Sequence, residues 1–143
     1  MSRQMRPELS EVDAMVAALI DAARPALSEV KLAAFEIAMA EALTNAVRYG
    51  VAAGAEATDL AALPPIEVTL SHQPRGVVVE IIDAGDQGPD DLYADVVAPE
   101  AIDLMAESGR GLSLIRHCTD DLSFEPAAGH NRLVLIFTPD VSA

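Results

Sequence analysis

The sequence predicts a single two-layer α/β (α+β) domain over residues 1–143, with a mostly antiparallel mixed sheet covered on one face by helices. The length of 143 residues fits one domain. Apolar residues in the first third recur at helical spacing, and later segments form pairs of strand-like runs separated by short turns. Helices followed by hairpins favour two segregated layers.

Two helices are predicted before the first strand. The segment PELSEVDAMVAALIDAARP has helical periodicity, and Pro25 ends it. Ser28 is a suitable cap for a second helix that runs to Tyr49 and stops at Gly50. The expected buried positions are Leu9, Val12, Val16, Leu19 and Ile20 in the first helix, and Leu32, Phe35, Met39, Leu43 and Ala46 in the second.

Two hairpins are predicted to form the sheet. The run IEVTLS alternates from Ile66 to Ser71, and VVVEIID from Val77 to Asp83 is nearly continuously apolar. The turn QPRG joins these two strands. The second hairpin pairs LSFEP with RLVLIF around AAGHN. The small-residue segment VAAGAEATDLAALPP before the first hairpin is expected to be a loop.

The connection between the two hairpins is long, acidic and irregular. The segment AGDQGPDDLYADVVAPEAIDLMAESGRG holds several glycines, prolines and carboxylates, and its length indicates a functional or mobile segment. The run LSLIRHC that follows is expected to form a short helix opening at Gly111.

The composition narrows the classes of partner. A formal net charge of −14 repels phosphate backbones, so direct nucleic-acid binding is not expected, whereas a basic protein partner is well matched. No apolar run is long enough for a membrane span, and the N-terminus lacks the apolar core of a signal peptide. With one cysteine, no disulfide framework is expected. We therefore expect a cytoplasmic protein without a membrane partner.

Three polar clusters lie at the ends of the predicted elements. Glu41 and Asn45 are one helical turn apart, Asp83 ends the most apolar strand, and SGRGLSLI is a glycine-rich turn that runs into a helix. Each cluster alone is typical of an ordinary solvated face or a tight turn. Together they suit a nucleotide: helix N–H groups bind phosphate, an amide oxygen ligates Mg²⁺, and a carboxylate accepts a proton.

The segments EALTNAVRYG, VEIIDAGDQG and SGRGLSLI resemble the Asn box and the first and second glycine boxes of the Bergerat-fold ATP-binding proteins (the GHKL or HATPase_c superfamily of gyrase, histidine kinases and MutL). Within that superfamily, EALTNAV, GRGLSLI and DDLSF are most similar to anti-sigma factor serine/threonine kinases of the RsbW and SpoIIAB type. The resemblance runs from about Ser10 to Phe137.

This resemblance implies ATP and Mg²⁺ as cofactors and assigns roles to matching residues. Glu41 would be the general base, Asn45 would ligate Mg²⁺ and contact the nucleotide, and Asp83 would hold the adenine. Residues 86–108 would form approximately the ATP lid. The other nucleotide-binding residues implied are Gly85, Gly88, Gly109, Arg110, Gly111, Leu112 and Asn131.

The chain departs from the family pattern at several positions. The first glycine box usually reads Asp-x-Gly-x-Gly, whereas Gln87 occupies the second glycine position and Gly88 follows it. Tyr49 stands where a His is often found, and Asn131 stands near the position of a Thr close to the adenine. The family usually has a strand before the opening helix, for which only SRQMR is available. These departures bear more on catalysis than on the fold.

The function implied is an anti-sigma factor with ATP-dependent serine kinase activity toward an anti-anti-sigma (STAS) protein, regulating transcription by partner switching. The expected partners are a sigma factor and the STAS-domain protein, and members of the family commonly form homodimers. Two alternatives stay open: a non-catalytic Bergerat-fold regulator with weak or no ATP turnover, and a catalytic domain of the histidine-kinase type.

Overall fold

The computed structural model describes residues 1–53, 64–83, 114–127 and 130–139. These residues form a five-stranded sheet and two α-helices, in the order β1 (Ser2–Met5), α1 (Val12–Ala23), α2 (Glu29–Ala53), β2 (Ile66–Gln73), β3 (Gly76–Asp83), β4 (Asp121–Ala127) and β5 (His130–Phe137). The strand order across the sheet is β1-β2-β3-β5-β4, and all four neighbouring pairs are antiparallel. The predicted α+β class is confirmed.

The first α-helix begins later than predicted, at Val12, and packs differently. A 3₁₀ turn at Leu9–Glu11 leads into α1. The guanidinium of Arg6 forms an ion pair with the carboxylate of Glu11, with a nitrogen–oxygen distance of 3.1 Å. Leu9 was expected in the core but is 59% exposed, so that expectation is wrong. The side chain that α1 buries instead is Met15, because the buried stripe starts with the regular helix rather than with the 3₁₀ turn.

The second helix confirms the predicted stripe but not the predicted end. The hydroxyl oxygen of Ser28 accepts the backbone N–H of Lys31 at 3.2 Å, which is the expected N-terminal cap. All five predicted stripe residues are buried. The helix passes through Gly50 and continues to Ala53, because glycine weakens a helix by only about 1 kcal/mol and does not force an end.

One face of the sheet carries the main core. Alternate residues of β2, β3 and β5 point toward the helices, and Phe35 of α2 meets Phe137 of β5 edge-to-face with ring centroids 4.8 Å apart. The segment SRQMR supplies the edge strand β1, whose residue Met5 is buried next to Ile66. Both hairpin predictions are confirmed, with β4 and β5 each slightly longer than expected.

Other predicted segments are described only in part. Residues 114–118 are helical, as expected for LSLIRHC, and Ile115 is fully buried. The remainder of the predicted loop after α2, and the start of the glycine-rich turn, lie outside the described residues. Within the part of the chain that the structure describes, no helix is long and apolar enough to cross a membrane.

The turn between β2 and β3 depends on Gly76. Its φ is +131°, and a Cβ built on it would lie 2.5 Å from the carbonyl oxygen of Phe137. An L side chain rarely adopts this backbone conformation, and the obstacle is backbone rather than a side chain that could move. The hairpin and its contact with β5 therefore require glycine here.

We expect Gly76→Ala to lower the free energy of unfolding by roughly 1–3 kcal/mol, because the substitution adds both φ strain and a backbone clash. Urea denaturation followed by circular dichroism measures the change. Arg75→Ala, one residue earlier in the exposed turn, is the control and should change stability by less than about 0.5 kcal/mol. Equal denaturation midpoints for the two variants would contradict this account of the turn.

Candidate functional site

The position of Asn45 follows from how α2 lies across the sheet. Phe35 contacts Phe137, whose partner on β3 is Val77, the second residue of that strand. Ten residues later, about 15 Å along the helix, comes Asn45. Asp83 is the last residue of β3, and α2 packs against that strand.

The amide of Asn45 is buried in a largely apolar surrounding. Its side chain is 5% exposed, and its neighbours along the helix, Ala46 and Val47, belong to the core. Within the described part of the chain, its Nδ2 atom has no hydrogen-bond acceptor. A buried N–H group without an acceptor costs about 1–3 kcal/mol. Packing alone does not account for an amide at this position.

Glu41 is one helical turn before Asn45 and is half-buried. Ile37, one further turn back on the same face, is exposed, so this face opens progressively toward solvent. A carboxylate at the border between core and solvent can reach a polar ligand while remaining hydrated.

Asp83 and Asn131 form a polar pair at the end of the core. They are direct Cα partners on β3 and β5, and they are 7% and 1% exposed. Asn131 Nδ2 donates a hydrogen bond to Asp83 Oδ1 at 3.3 Å. Asn131 Oδ1 has no donor within the residues that the structure describes. A polar pair rich in hydrogen-bond acceptors thus adjoins the apolar residues on the inner face of β3 and β5.

The structure describes four of the predicted residues: Glu41 and Asn45, one turn apart on α2, and Asp83 and Asn131, paired across β3 and β5. The other predicted nucleotide-binding residues and the predicted lid, residues 86–108, lie outside the described residues, as does the departure at Gln87. The predicted residues not described are Gly85, Gly88, Gly109, Arg110, Gly111 and Leu112.

Chemically, the four described residues offer amides and carboxylates rather than a metal cage. Within the described ranges, no group of three or more His, Cys, Asp or Glu side chains could hold a metal ion. A single amide oxygen suits Mg²⁺, which keeps several waters and is commonly shared with phosphates. The arrangement suits a polar ligand that brings its own oxygens and nitrogens.

The opposite face of the sheet holds a charged group that sequence reasoning missed. Arg132 of β5 forms ion pairs with Glu80 of β3 at 3.1 Å and Glu125 of β4 at 2.8 Å. The hydrogen bonds that the guanidinium donates to Glu80 and then Glu125 raise the pKa of Arg132 above its ordinary value. The signal available in the sequence was the alternation of charged and apolar residues on β3, β4 and β5.

Sequence reasoning also missed the hydrogen bond between Asp83 and Asn131. The two residues are far apart in the chain, and their contact depends on the register between β3 and β5. No local pattern in the sequence indicates this pairing, because it depends on the register of two strands.

Comparison with solved structures supports the fold. One chain of the crystal structure of the SiaB–SiaC complex from Pseudomonas aeruginosa aligns with a TM-score of 0.59 and 16% sequence identity. The alignment covers 94% of this chain and 87% of that chain. At this identity the likeness concerns the fold alone. The comparison with curated proteins finds no similar sequence.

A comparison with family models identifies the family of the chain. The model described as "Histidine kinase-like ATPase domain" matches residues 5–137, which is most of the chain. The match includes both helices and strands β2 to β5, together with Glu41, Asn45, Asp83 and Asn131. The chain belongs to the histidine kinase-like ATPase domain family.

Proposed function

We propose that this protein is an ATP- and Mg²⁺-dependent serine kinase that acts on an anti-anti-sigma STAS-domain protein and switches between that partner and a sigma factor. The observation that carries the proposal is the buried Asn45 amide, with an unpartnered N–H group, one turn after a half-buried Glu41 in an ATPase family.

In this proposal, the buried polar residues hold the nucleotide. Asp83 and Asn131 face the adenine, and the oxygen of the Asn45 amide ligates Mg²⁺. The Nδ2 atom of Asn45, which lacks an acceptor in the described chain, fits a phosphate oxygen. ATP would supply the phosphoryl group, and Mg²⁺ held by Asn45 would offset charge on the phosphates.

Glu41 has the role of proton acceptor. The serine hydroxyl of the partner would lose its proton to the Glu41 carboxylate as its oxygen bonds to the terminal phosphorus, while the bond from that phosphorus to the bridging oxygen breaks and ADP leaves. Half-burial keeps this carboxylate near the Asn45 amide while leaving one side accessible to a second protein. An exposed apolar residue on the same face, Ile37, is available for contact with that protein.

The net negative charge of the chain supports a basic protein, the sigma factor, as the second partner. With 23 acidic and nine basic residues, the surface is complementary to a positively charged sigma-factor region. The related fold found in a chain of a two-protein complex is consistent with action through a protein partner.

We expect Asn45→Ala to raise the Kd for ATP with Mg²⁺ at least tenfold, because the substitution removes both the metal ligand and a buried donor to phosphate. Isothermal titration calorimetry measures the change. Thr44→Ala is the control: its hydroxyl donates to the Ala40 carbonyl within the same helix, at 2.7 Å, and its loss should leave the Kd within about threefold. Unchanged binding by Asn45→Ala would show that the nucleotide does not use this amide.

We expect Glu41→Gln to reduce phosphoserine formation on a STAS-domain partner by about 10²–10⁴-fold, while nucleotide affinity stays within threefold, because only the proton acceptor is lost. Phosphoserine is quantified after incubation with labelled ATP. Glu36→Gln applies the same change to an exposed glutamate of α2 and should retain full activity. A Glu41→Gln variant as active as the unchanged protein would remove the carboxylate from this role.

A second candidate function is a regulator that binds partners without phosphorylating them. Gln87 in place of a glycine of the first glycine box favours this alternative. In the same assay, a stable complex with the STAS-domain protein but no phosphoserine would identify it. Phosphohistidine on an added phosphoacceptor domain would instead identify catalysis of the histidine-kinase type.

A further inference from the structure

One side of α2 exposes apolar side chains to solvent. Val30 is 79% exposed and Ile37 is 43% exposed, although both are residue types that are usually buried. They are seven residues apart and therefore lie on the same side of the helix, and the exposed Ala33 lies between them. We refer to Val30, Ala33 and Ile37 as the exposed strip.

The stability of the helix does not account for the exposed strip. Valine and isoleucine form helices less well than alanine or lysine, because their branched side chains lose rotational freedom against the preceding turn. At Val30 and Ile37 they gain little burial within the described chain in return. Contact with a second molecule would bury both side chains and explain their identity.

The exposed strip leads along the helix to Glu41. An α-helix rises about 1.5 Å per residue, so Ile37 is about 6 Å and Val30 about 17 Å from Glu41 along the helix axis. A specific protein interface covers about 800 Å² on each partner, which is a patch roughly 30 Å across. A protein that brings a serine to the half-buried Glu41 therefore covers Ile37 and extends toward Val30.

The charges around the exposed strip distinguish a second copy of the chain from a different protein. The strip lies between the carboxylates of Glu29 and Glu41. The ammonium group of Lys31 is paired with the carboxylate of Asp120, with a nitrogen–oxygen distance of 2.8 Å. A second copy would bring the same carboxylates and a further net charge of −14 to this face, and like charges repel. A partner with basic side chains is attracted instead.

We propose that the exposed strip of α2 is the surface on which the phosphoacceptor protein docks. This inference rests on the proposed function, in which the serine of that protein meets Glu41. The geometry of α2 requires the partner to place an apolar side chain about 6 Å from its serine, over Ile37. The carboxylate of Glu29 favours a Lys or Arg side chain at the far end of the contact.

The test adds a charge to the exposed strip and measures the affinity for the partner. Ile37→Lys and Val30→Lys are made in the full chain. Leu9→Lys is the matched control, because Leu9 is also apolar and 59% exposed but precedes α1. The probe is the STAS-domain protein of the phosphoserine assay. Calorimetry with ADP and Mg²⁺ gives the Kd of the complex, and initial rates with ATP give KM and kcat.

We expect Ile37→Lys to raise the Kd of the complex and the KM for the STAS-domain protein at least tenfold, because contacts near the centre of an interface contribute most to affinity. Val30→Lys, nearer the edge, should raise both about threefold. The kcat at saturating partner should stay within about twofold, because a docking contact takes no part in phosphoryl transfer. Leu9→Lys should change the Kd and KM by less than about twofold.

The affinity of each variant for ADP, measured on the same samples, shows whether the variant is folded and holds its nucleotide. If the STAS-domain protein is phosphorylated and neither strip variant changes its Kd or KM, the inference is overturned and the proposed function stands. If the unchanged protein sediments as a dimer and Ile37→Lys as a monomer, a second copy covers the strip, and the inference is again overturned. If the unchanged protein does not phosphorylate the STAS-domain protein, the proposed function fails and the inference fails with it.

Discussion

The packing of α2 along the inner face of β3 and β5 is the constraint on which the candidate site depends. A helix can slide or rotate on a sheet unless large side chains interlock, and here Phe35 against Phe137 supplies that interlock at one end. The buried stripe from Leu32 to Ala46 then fixes the rotation of the helix. The rotation and position of α2 together bury the Asn45 amide in the core and leave Glu41 at the border of the core.

The buried polar residues of the described chain are costly for folding. Asn45, Asp83 and Asn131 are the buried polar side chains of the described chain, and two of their atoms lack partners there. A protein selected only for stability would place apolar side chains at these positions, because a buried unpaired group lowers stability. A ligand that supplies the missing hydrogen-bond partners offsets this cost, because binding to the folded state adds to its stability.

Much of this architecture could be predicted from the amino-acid sequence. The physical reasons for this also explain which predictions were wrong. The stripe of α2 and the alternation of β2 are local periodicities, and burial enforces them directly. The end of α2 was mispredicted at Gly50 because a glycine permits a helix end without requiring one. Leu9 was mispredicted because periodicity does not reveal that the first turn is a 3₁₀ turn. The Asp83–Asn131 contact needs the register of two strands that are distant in sequence, which no local pattern contains.

The strand order has a consequence for how the chain is made. β5 is the last of the described strands in sequence, yet it lies between β3 and β4 in the sheet. Until β5 has been synthesised, β3 lacks its neighbour on one side, Phe35 lacks its aromatic contact, and β4 has no strand to pair with. Contacts of such long sequence separation are slow to form and leave strand edges exposed meanwhile. Completion of this domain on the ribosome must therefore wait for nearly the whole chain to emerge, and a nascent chain stalled before β5 would be a substrate for chaperones.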